Sequence, residues 1–318
     1  MSEQTPQITV VIPVFQEQET VAQTISGVVE VCTARKASFE IVAVDDGSND
    51  RSLECLQRLQ ERYGCLRVAH HQYNRGYGSA LRTGIRLARG EIVVCMDADG
   101  QHLPTEIPPL LDNIPPYDLV VGCRTENYRG PWYRNAGNRF YNGFSSWLAK
   151  TEIKDLTSGF RAMRRVAVSH FLPLYPSGFS ASATTILAFL KAGYNVTFVP
   201  VHVQPRQNGK SKINFFRDGW RFLSVILRMI MLYDPLRIFL PLAGILFLLG
   251  LLAWGAGILS AQRLIFPNSA VLLFVFALMD ILLGLLSSQV ASSRIHYFGD
   301  ETVAIYESTE GRQSNVPD

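Results

Sequence analysis

The sequence predicts an α/β domain with a mainly parallel sheet, followed by an α-helical membrane anchor with two transmembrane helices. Apolar strand-like segments alternate with helical patterns through the first two thirds of the chain. The last third instead contains two long apolar runs that are almost free of charge. Polar and acidic residues follow several of the strand-like segments, which is typical of a ligand crevice at one edge of a parallel sheet.

Five segments are predicted to be strands because they are short and apolar, with many β-branched residues. In chain order they are Ile8–Ile12, Glu40–Val44, Leu66–His70, Ile92–Met96 and Leu119–Gly122. Helical patterns fill the gaps between them, at Glu19–Lys36, Arg51–Tyr63, Gly78–Ala88 and Thr105–Asn113. Nearly continuous apolar strands that alternate with helices predict a mainly parallel sheet covered on both faces.

The predicted anchor consists of two apolar runs. Ile238–Gln262 has 25 residues without a charge, and Ala270–Ala291 has 22 residues interrupted only by Asp280. Each run is long enough to cross the ~30 Å hydrocarbon core of a bilayer at ~1.5 Å per residue. A buried helical hairpin of a soluble protein is the alternative, which two adjacent runs of this length disfavour. We expect Asp280 to be protonated or paired at a helix contact, although a carboxylate at this depth also raises a functional hypothesis.

Basic residues indicate how the anchor is oriented. Arg237 precedes the first run and Arg294 follows the second, whereas the connecting loop has only Arg263. The positive-inside rule therefore predicts a multi-pass membrane protein with its N-terminal domain and both termini on the cytoplasmic side. The five cysteines form no C-x-x-C pair, which is consistent with reduced thiols in the cytoplasm.

The segment before the anchor, Ile213–Tyr233, places arginines among aromatic and aliphatic residues. This pattern predicts an amphipathic helix in the membrane interface, with an ordinary domain-packing helix as the alternative. The predicted organisation is a cytoplasmic domain (1–212), an interfacial helix region (213–234), a transmembrane hairpin (235–297) and a polar tail (298–318). We expect a homo-oligomer, because two spans make a small anchor. The formal net charge of +3 gives no indication of nucleic acid binding.

Two carboxylates follow the fourth predicted strand, Asp97 and Asp99. In extended backbone alternate side chains point the same way, so these carboxylates share one small space. Like charges this close are unfavourable unless something positive lies between them. Two oxygen ligands that leave positions open suit Mg²⁺ or Mn²⁺ held together with substrate phosphates. Asp45 and Asp46, after the second strand, are expected in the same crevice.

Two other phosphate-binding motifs do not fit. The stretch "GYGSALRTG" lacks the G-x-G-x-x-G spacing and follows the third strand rather than the first, which disfavours a dinucleotide-binding fold. The stretch "NGKS", at 208–211, has Gln204 where a P-loop requires its first glycine.

Seven motifs in this order resemble the polyprenyl-phosphate glycosyltransferases of glycosyltransferase family 2, which include dolichol-phosphate mannose synthases and bactoprenol glucosyltransferases. The motifs are "PVFQE", "DDGS", "NRGYGSAL", "DADGQH", "GCR", "DLTSGFRAMRR" and "GKSK". The resemblance implies a GT-A (Rossmann-like) fold and a metal-dependent, inverting hexosyl transfer from a nucleotide diphosphate sugar. It implies polyprenyl (undecaprenyl) phosphate as the acceptor, at the cytoplasmic membrane face. Because the two-span tail looks most like the bacterial branch, UDP-glucose is the first expected donor.

The resemblance also implies roles for single residues. The expected nucleotide-sugar-binding residues are Pro13, Phe15, Glu17, Asp45, Asp46, Ala98, Arg206 and Lys212. Of these, Arg206 and Lys212 match a basic loop that closes over the donor diphosphate. The expected ligands of Mg²⁺ or Mn²⁺ are Asp97, Asp99 and Gln101.

The acceptor side is expected to use arginines, whose planar fork binds phosphate in two places. Arg124, together with Arg134 or Arg139, would meet the acceptor phosphate. Asp155 lies where related enzymes carry a proposed base, and it is expected to orient the acceptor first and act as a base second. The reason is that a phosphate monoester, with a second pKa of ~6, is already largely ionised near neutral pH. The alternative for Asp155 is a helix cap or a structural pair with Arg161.

Three other functions are considered as alternatives to polyprenyl-phosphate sugar transfer. A processive polysaccharide synthase is disfavoured because no Q-x-x-R-W motif is present. A transferase that uses a lipid hydroxyl would need a firm general base. A non-catalytic subunit that binds nucleotide sugars is disfavoured by the intact acidic pair and the basic loop.

Overall fold

The computed structural model describes residues 5–124, 142–147, 149–178, 180–204, 235–261 and 266–299. In these ranges the N-terminal part forms one seven-stranded sheet with helices on both faces. The C-terminal part forms a helical hairpin.

The sheet is mainly parallel, as predicted. Its strands are β1 (Ile8–Val14), β2 (Phe39–Asp45), β3 (Leu66–His70), β4 (Ile92–Cys95), β5 (Leu119–Arg124), β6 (Arg161–Arg164) and β7 (Val196–Val201). The strand order is β3-β2-β1-β4-β6-β5-β7. Strand β6 runs antiparallel to both of its neighbours, and the other pairs are parallel. The five predicted strands are confirmed to within a few residues at each end.

Helices cover both faces of the sheet. They are α1 (Val21–Ala34), α2 (Ser52–Arg62), α3 (Tyr77–Leu87), α4 (Ile107–Leu111), α5 (Arg165–Phe171) and α6 (Ala181–Lys191). Residues 142–147 are also helical. The four helices predicted from the sequence are present, and the fourth is shorter than predicted because a 3-10 turn over Pro104–Glu106 forms its first part.

The core divides into two layers, one on each face. Strand β1 is buried along its whole length. Its Val10 and Ile12 pack with Ile25 of α1 on one face, whereas Val11 packs with Leu81 of α3 on the other. Because neighbouring side chains of a strand point to opposite faces, burial on both faces requires a continuous apolar run.

Two strands, β6 and β7, were not predicted, because neither has the expected pattern. Strand β6 has the sequence RAMR, and its first residue, Arg161, is completely buried. Strand β7 contains Pro200 and lies at the edge of the sheet, where a residue without an N–H group is tolerated.

The C-terminal hairpin consists of α7 (Leu236–Ala261) and α8 (Asn268–Gly299). Glycines allow the two helices to approach: a Cβ at Gly250 would lie 2.8 Å from the Phe274 ring, and one at Gly284 would lie 2.7 Å from the Phe239 Cβ. The candidate spans Leu236–Ser260 and Asn268–Ser292 have mean hydropathies of 2.3 and 2.5, but only 11% and 17% of them is buried. A core hairpin of a soluble protein would be mostly buried, so the exposure of these apolar helices favours a membrane anchor.

Several predictions fall on other parts of the chain. The interfacial helix region 213–234, Arg263 and almost all of the polar tail lie outside the described residues. The predicted domain limits therefore stay predictions. Asp280 lies in α8, and its Oδ2 atom is buried without a hydrogen-bond partner among the described residues.

Candidate active site

The sequence-predicted crevice lies where β1, β2 and β4 end. Strand β1 pairs in parallel with both neighbours, with Val14 opposite Asp45 and Val11 opposite Cys95. The segments that follow these three strands therefore leave the sheet at the same edge. This register brings the "PVFQE", "DDGS" and "DADGQ" motifs together.

The loop after β1 is tied to the loop after β2 by hydrogen bonds from its backbone. The N–H of Gln16 donates to Ser48 Oγ at 3.0 Å, and the N–H of Glu17 donates to Ser52 Oγ at 2.9 Å. Gln16 has a φ of 59°, in the left-handed region. This arrangement leaves the Phe15 side chain 39% exposed beside the crevice. Pro13 differs, because it is buried inside β1 opposite Val44 and supports the loop rather than lining open space.

Asp45 and Asp46 are both buried, and each carboxylate is bound to a histidine from the end of β3. His70 Nδ1 lies 2.9 Å from Asp45 Oδ2, and His71 Nδ1 lies 2.7 Å from Asp46 Oδ1. These histidines were missed in the sequence, where adjacent His residues after a strand were the only signal. Asp45 Oδ1 is buried and has no hydrogen-bond partner within the described part of the chain.

Asp46 also holds the start of α3. Its carboxylate accepts hydrogen bonds from the N–H groups of Arg75, at 3.0 Å, and Gly76, at 2.8 Å. Gly76 has a φ of 95°, and a Cβ there would lie 2.4 Å from the Ser177 carbonyl oxygen, so only glycine fits. Asp46 therefore positions the loop that precedes α3. Asp45 is the member of the pair whose Oδ1 atom has no hydrogen-bond partner among the described residues.

Asp97 and Asp99 follow β4 in a tight turn, and both are half-buried. Asp99 Oδ1 accepts a hydrogen bond of 3.0 Å from the N–H of Gln101, and Gly100 between them has a φ of 71°. Ala98 is buried, and its carbonyl oxygen accepts a bond from Thr24 Oγ1 at 3.4 Å. The turn thus places the two carboxylates at the crevice, and the hydrogen bond to Ala98 attaches the turn to α1.

A buried arginine lies behind Asp97. Arg161 is completely buried, and its Nη1 donates to the Ser182 carbonyl oxygen at 3.1 Å. Its charge and that of Asp97 both act on the Cys95 thiol and the Tyr77 hydroxyl. Burial raises the pKa of Cys95 to about 11 and, with the charge of Asp97 adding to it, raises the pKa of Tyr77 well above its usual value. Both groups therefore stay neutral, and no local pattern in the sequence predicts this buried cation beside the acidic pair.

Asp155 pairs with Arg124 at the end of β5. Arg124 Nε donates to Asp155 Oδ2 at 2.8 Å, and Nη2 donates to Oδ1 at 3.0 Å and to Thr157 Oγ1 at 2.6 Å. Burial opposes ionisation of Asp155, but the hydrogen bonds and charge of Arg124 outweigh it, so the pKa of the carboxyl is lowered. The alternative of a structural pair with Arg161 is wrong, because Arg161 faces Ser182 on the other side of β6.

Two interactions connect the acidic turn of Asp97 and Asp99 to the chain that leaves β7. The N–H of Gln204 donates to the Gln101 carbonyl oxygen at 2.8 Å, and His102 forms an antiparallel bridge with Val203. His102 is buried and stacks on Phe160, with 4.9 Å between ring centroids. Burial lowers the pKa of His102 to about 4. The predicted site residues Arg134, Arg139, Arg206 and Lys212 lie outside the described residues.

The donor set fits a divalent cation that is shared with a substrate. In the described ranges no group of three or more His, Cys, Asp or Glu side chains could hold a metal ion alone. Two half-buried carboxylates with a neighbouring amide, Asp97, Asp99 and Gln101, suit Mg²⁺ or Mn²⁺ that takes its other ligands from phosphates and water. This is the pattern expected where the ion is bound through the substrate.

A mainly parallel sheet, with an acidic turn after β4 and a crevice at the carboxyl ends of the strands, is typical of glycosyltransferases of the GT-A type. The family model "Glycosyl transferase family 2" matches residues 9–172, and the model "GtrB C-terminal hairpin" matches residues 234–293. The chain therefore belongs to glycosyltransferase family 2, and the resemblance to its polyprenyl-phosphate branch is confirmed. The second match identifies the two apolar helices as a hairpin of the GtrB type, which fits a two-helix membrane anchor.

Curated relatives match nearly the whole chain. An undecaprenyl-phosphate 4-deoxy-4-formamido-L-arabinose transferase of Pseudomonas paraeruginosa is 31% identical over 324 residues, which cover 93% of this chain and 90% of that protein. The enzyme of the same name from Proteus mirabilis is 26% identical over 310 residues, with 96% and 91% covered.

Solved structures agree in fold. Glucosyl-3-phosphoglycerate synthase of Mycobacterium tuberculosis, in complex with Mn²⁺, UDP and glucosyl-3-phosphoglycerate, superposes with a TM-score of 0.55 at 18% identity. The match covers 71% of this chain and 79% of that one. The complex of the same enzyme with Mg²⁺ and UDP has a TM-score of 0.56 at 18% identity, with 71% and 78% covered. The GT-A fold is therefore confirmed.

Proposed function

We propose that this protein transfers a sugar from a nucleotide diphosphate to a polyprenyl phosphate, such as undecaprenyl phosphate, at a membrane surface. The observation that carries the proposal is the combination of an acidic donor site and a membrane hairpin in one chain. A transferase for a soluble acceptor has no need of two exposed apolar helices. The Pseudomonas and Proteus relatives, which are named for transfer to undecaprenyl phosphate, support the same acceptor.

The donor is proposed to lie along the crevice at the ends of β1, β2 and β4. Phe15 offers an exposed aromatic face and Asp45 a buried carboxylate oxygen to the nucleoside. Asp97, Asp99 and Gln101 would hold Mg²⁺ or Mn²⁺, which when bound neutralises charge on the departing diphosphate. Arg206 and Lys212 are proposed to assist, because they follow closely in the sequence after Gln204, whose N–H donates to the Gln101 carbonyl oxygen.

The acceptor is proposed to bind beside Arg124. Asp155 accepts two hydrogen bonds from this arginine and so fixes the orientation of its guanidinium group. A carboxyl with a lowered pKa is a weak base, which favours orientation over proton abstraction for Asp155. The nucleophile is a phosphate oxygen that needs little activation, because it is already ionised near neutral pH. Arg134 or Arg139 is proposed to add a second contact to that phosphate.

The sugar and the topology are further parts of the proposal. UDP-glucose remains a candidate donor, and the curated relatives add nucleotide-activated 4-deoxy-4-formamido-L-arabinose as a second candidate. The distribution of arginines supports a cytoplasmic N-terminal domain with both termini on that side. Association of several copies remains a prediction.

The decisive experiment uses the full-length protein purified in detergent, undecaprenyl phosphate, Mn²⁺ or Mg²⁺, and radiolabelled nucleotide sugars. We expect label in the lipid fraction with one donor, and its loss with EDTA or in Asp97→Asn and Asp99→Asn. Asp112→Asn is the matched control, because that carboxylate pairs with Arg35 on the surface, away from the crevice. Label that enters a diacylglycerol or ceramide but no polyprenyl phosphate would point to a hydroxyl acceptor. Nucleotide binding without transfer to any lipid would point to a non-catalytic subunit.

A further inference from the structure

The N-terminal domain contacts the membrane hairpin through Trp147 and Arg237. Arg237 is in the first turn of α7, and its guanidinium carbon lies 4.2 Å from the centroid of the Trp147 ring. Arg237 Nη1 also donates a hydrogen bond to the Trp147 carbonyl oxygen. A guanidinium over an indole face is the most favourable kind of cation–π pair. The contact therefore ties the start of the membrane helix to the helical segment 142–147.

Helix 142–147 is in turn tied to the loop that carries Asp155. Asn142 Nδ2 donates to the Lys154 carbonyl oxygen at 2.7 Å, and Asn142 Oδ1 accepts from the N–H of Leu156 at 3.1 Å. One asparagine side chain thus holds the backbone on both sides of Asp155. Farther along the helix, Ser146 Oγ accepts from the N–H of Ile153 at 2.9 Å.

These contacts form a continuous path from the membrane helix to the acceptor site. The path runs from Arg237 to Trp147, through the helix to Asn142, and from the backbone around Asp155 to Arg124. The side chains at its end are well buried, with Arg124 at 19% and Asp155 at 9% exposure. Packing and hydrogen bonds along the path leave little freedom for Arg124 to shift relative to α7.

We propose that the Arg237–Trp147 contact positions the Arg124–Asp155 pair relative to the membrane, so that a phosphate on a lipid anchored in the bilayer reaches Arg124. This inference rests on the proposed function, and it assigns Arg237, Trp147 and Asn142 as positioning residues that do not touch the substrate. A lipid phosphate is confined to a plane, unlike a soluble one, so an error in the height of the site reduces binding of the lipid acceptor alone. Small displacements of a binding group can reduce turnover by up to ~100-fold.

The test compares two acceptors in the full-length protein reconstituted in nanodiscs. One acceptor is undecaprenyl phosphate in the bilayer, and the other is a short, water-soluble prenyl phosphate. For Arg237→Ala and Trp147→Ala we expect the KM for the bilayer acceptor to rise about tenfold, with the KM for the nucleotide sugar and for the short acceptor unchanged. The double variant should be no worse than Arg237→Ala, because Trp147→Ala removes only the ring part of a contact that Arg237→Ala removes entirely. Arg237→Lys and Trp147→Phe should recover part of the loss.

Arg62→Ala is the matched control, because Arg62 stacks on Tyr63 at 5.2 Å, in a cation–π pair of α2. It should leave both KM values unchanged. An equal rise in KM for the bilayer acceptor and for the short acceptor would overturn the inference. An unchanged KM for the bilayer acceptor would overturn it as well. If Trp147→Ala fails to fold, Arg237→Ala and the two conservative variants still decide the result. Wild-type protein that transfers sugar to neither acceptor would instead refute the proposed function, and the positioning role with it.

Discussion

Arg124 and Asp155 meet through two nearly parallel hydrogen bonds, of 2.8 and 3.0 Å, at the carboxyl end of β5. The pair joins a strand of the sheet to a loop that precedes β6, across 31 residues of sequence. Thr157 completes it, by accepting from Arg124 and donating to Asp155. Arginine held in this way keeps one fixed direction, which is what recognition of a phosphate requires.

Asp155→Asn should weaken acceptor binding without changing donor binding. The substitution removes the negative charge that orients the partly buried Arg124, and an asparagine offers only one accepting oxygen to its guanidinium group, so we expect the KM for the lipid phosphate to rise about 30-fold or more. Initial rates at varied acceptor and varied donor concentrations measure the two KM values separately. Asp118→Asn is the control, since Asp118 pairs with Arg164 at 3.3 Å through a similar contact outside the crevice. Equal effects of the two substitutions would show that Asp155 has only a general structural role.

The pH dependence of the reaction separates orientation from base catalysis. Because the pKa of Asp155 is lowered in the folded protein, its charged form and the stability it contributes are present above its unfolded pKa of 3.8. They are lost only as the pH falls through the still lower folded value. We therefore expect ionisation of Asp155 to cause no change in rate between pH 5 and 8. The rate should change with pH only around a pKa of about 6, where the acceptor phosphate ionises. A change in rate near neutral pH that is present in the wild type and absent from Asp155→Asn would instead identify Asp155 as a general base.

Arg161→Met should separate metal binding from stability. Burying an arginine costs desolvation energy that an apolar residue of similar size avoids, and the Nε and Nη2 atoms of Arg161 have no hydrogen-bond partner among the described residues. The same change removes a positive charge behind Asp97 that repels a bound cation, so we expect the affinity for Mn²⁺ to rise several-fold while the melting temperature stays level or rises. Calorimetry of Mn²⁺ with UDP, together with thermal unfolding, measures both. Tyr175→Phe is the control, because its hydroxyl lies beside Arg161 but is bonded to Thr185 at 2.6 Å. A drop in melting temperature with normal Mn²⁺ affinity would contradict the prediction.

Gly159→Ala should disturb Asp97 directly. A Cβ at this position would lie 2.5 Å from the Tyr77 hydroxyl oxygen and 2.8 Å from Asp97 Oδ2, which are closer than atoms can approach. We expect Asp97 to move and Mn²⁺-dependent nucleotide binding to fall about tenfold or more. Gly64→Ala meets nothing within 4 Å and should have no effect on binding. Normal Mn²⁺-dependent binding by Gly159→Ala would show that the carboxylate tolerates the displacement.

His102 should make the protein less stable in mild acid. Its folded pKa of about 4 lies below the usual 6.5, so between these values the unfolded chain binds a proton that the folded chain excludes. Stability is therefore complete above pH 6.5 and is lost as the pH falls towards 4, by about 3 kcal/mol at most. We expect His102→Asn to show a smaller drop in melting temperature from pH 7.5 to 5 than the wild type. An equal drop in His102→Asn and in the wild type would show that another group causes the sensitivity to acid.

The sequence alone determined the class of fold and the location of the crevice. Strands β1, β2, β4 and β5 are almost wholly buried, so each leaves a largely apolar segment that is readable without long-range information. The acidic turn after β4 is equally local, because Asp97 and Asp99 share a side through the two-residue period of extended backbone. Two apolar runs of bilayer length, one uncharged and one with Asp280 as its single charge, identified the hairpin in the same way.

Only the tertiary structure decided which charged groups meet. Asp155 pairs with Arg124 and not with Arg161, because β6 runs antiparallel between β4 and β5 and turns Arg161 into the core. The contact of Trp147 with Arg237 joins residues 90 positions apart. Nothing in the local pattern of either segment specifies such partners, because an ion pair or a cation–π contact depends on distances set by the whole fold. Local sequence therefore predicted the elements and the chemistry of the site, whereas the packing of the whole chain determined the geometry that holds it together.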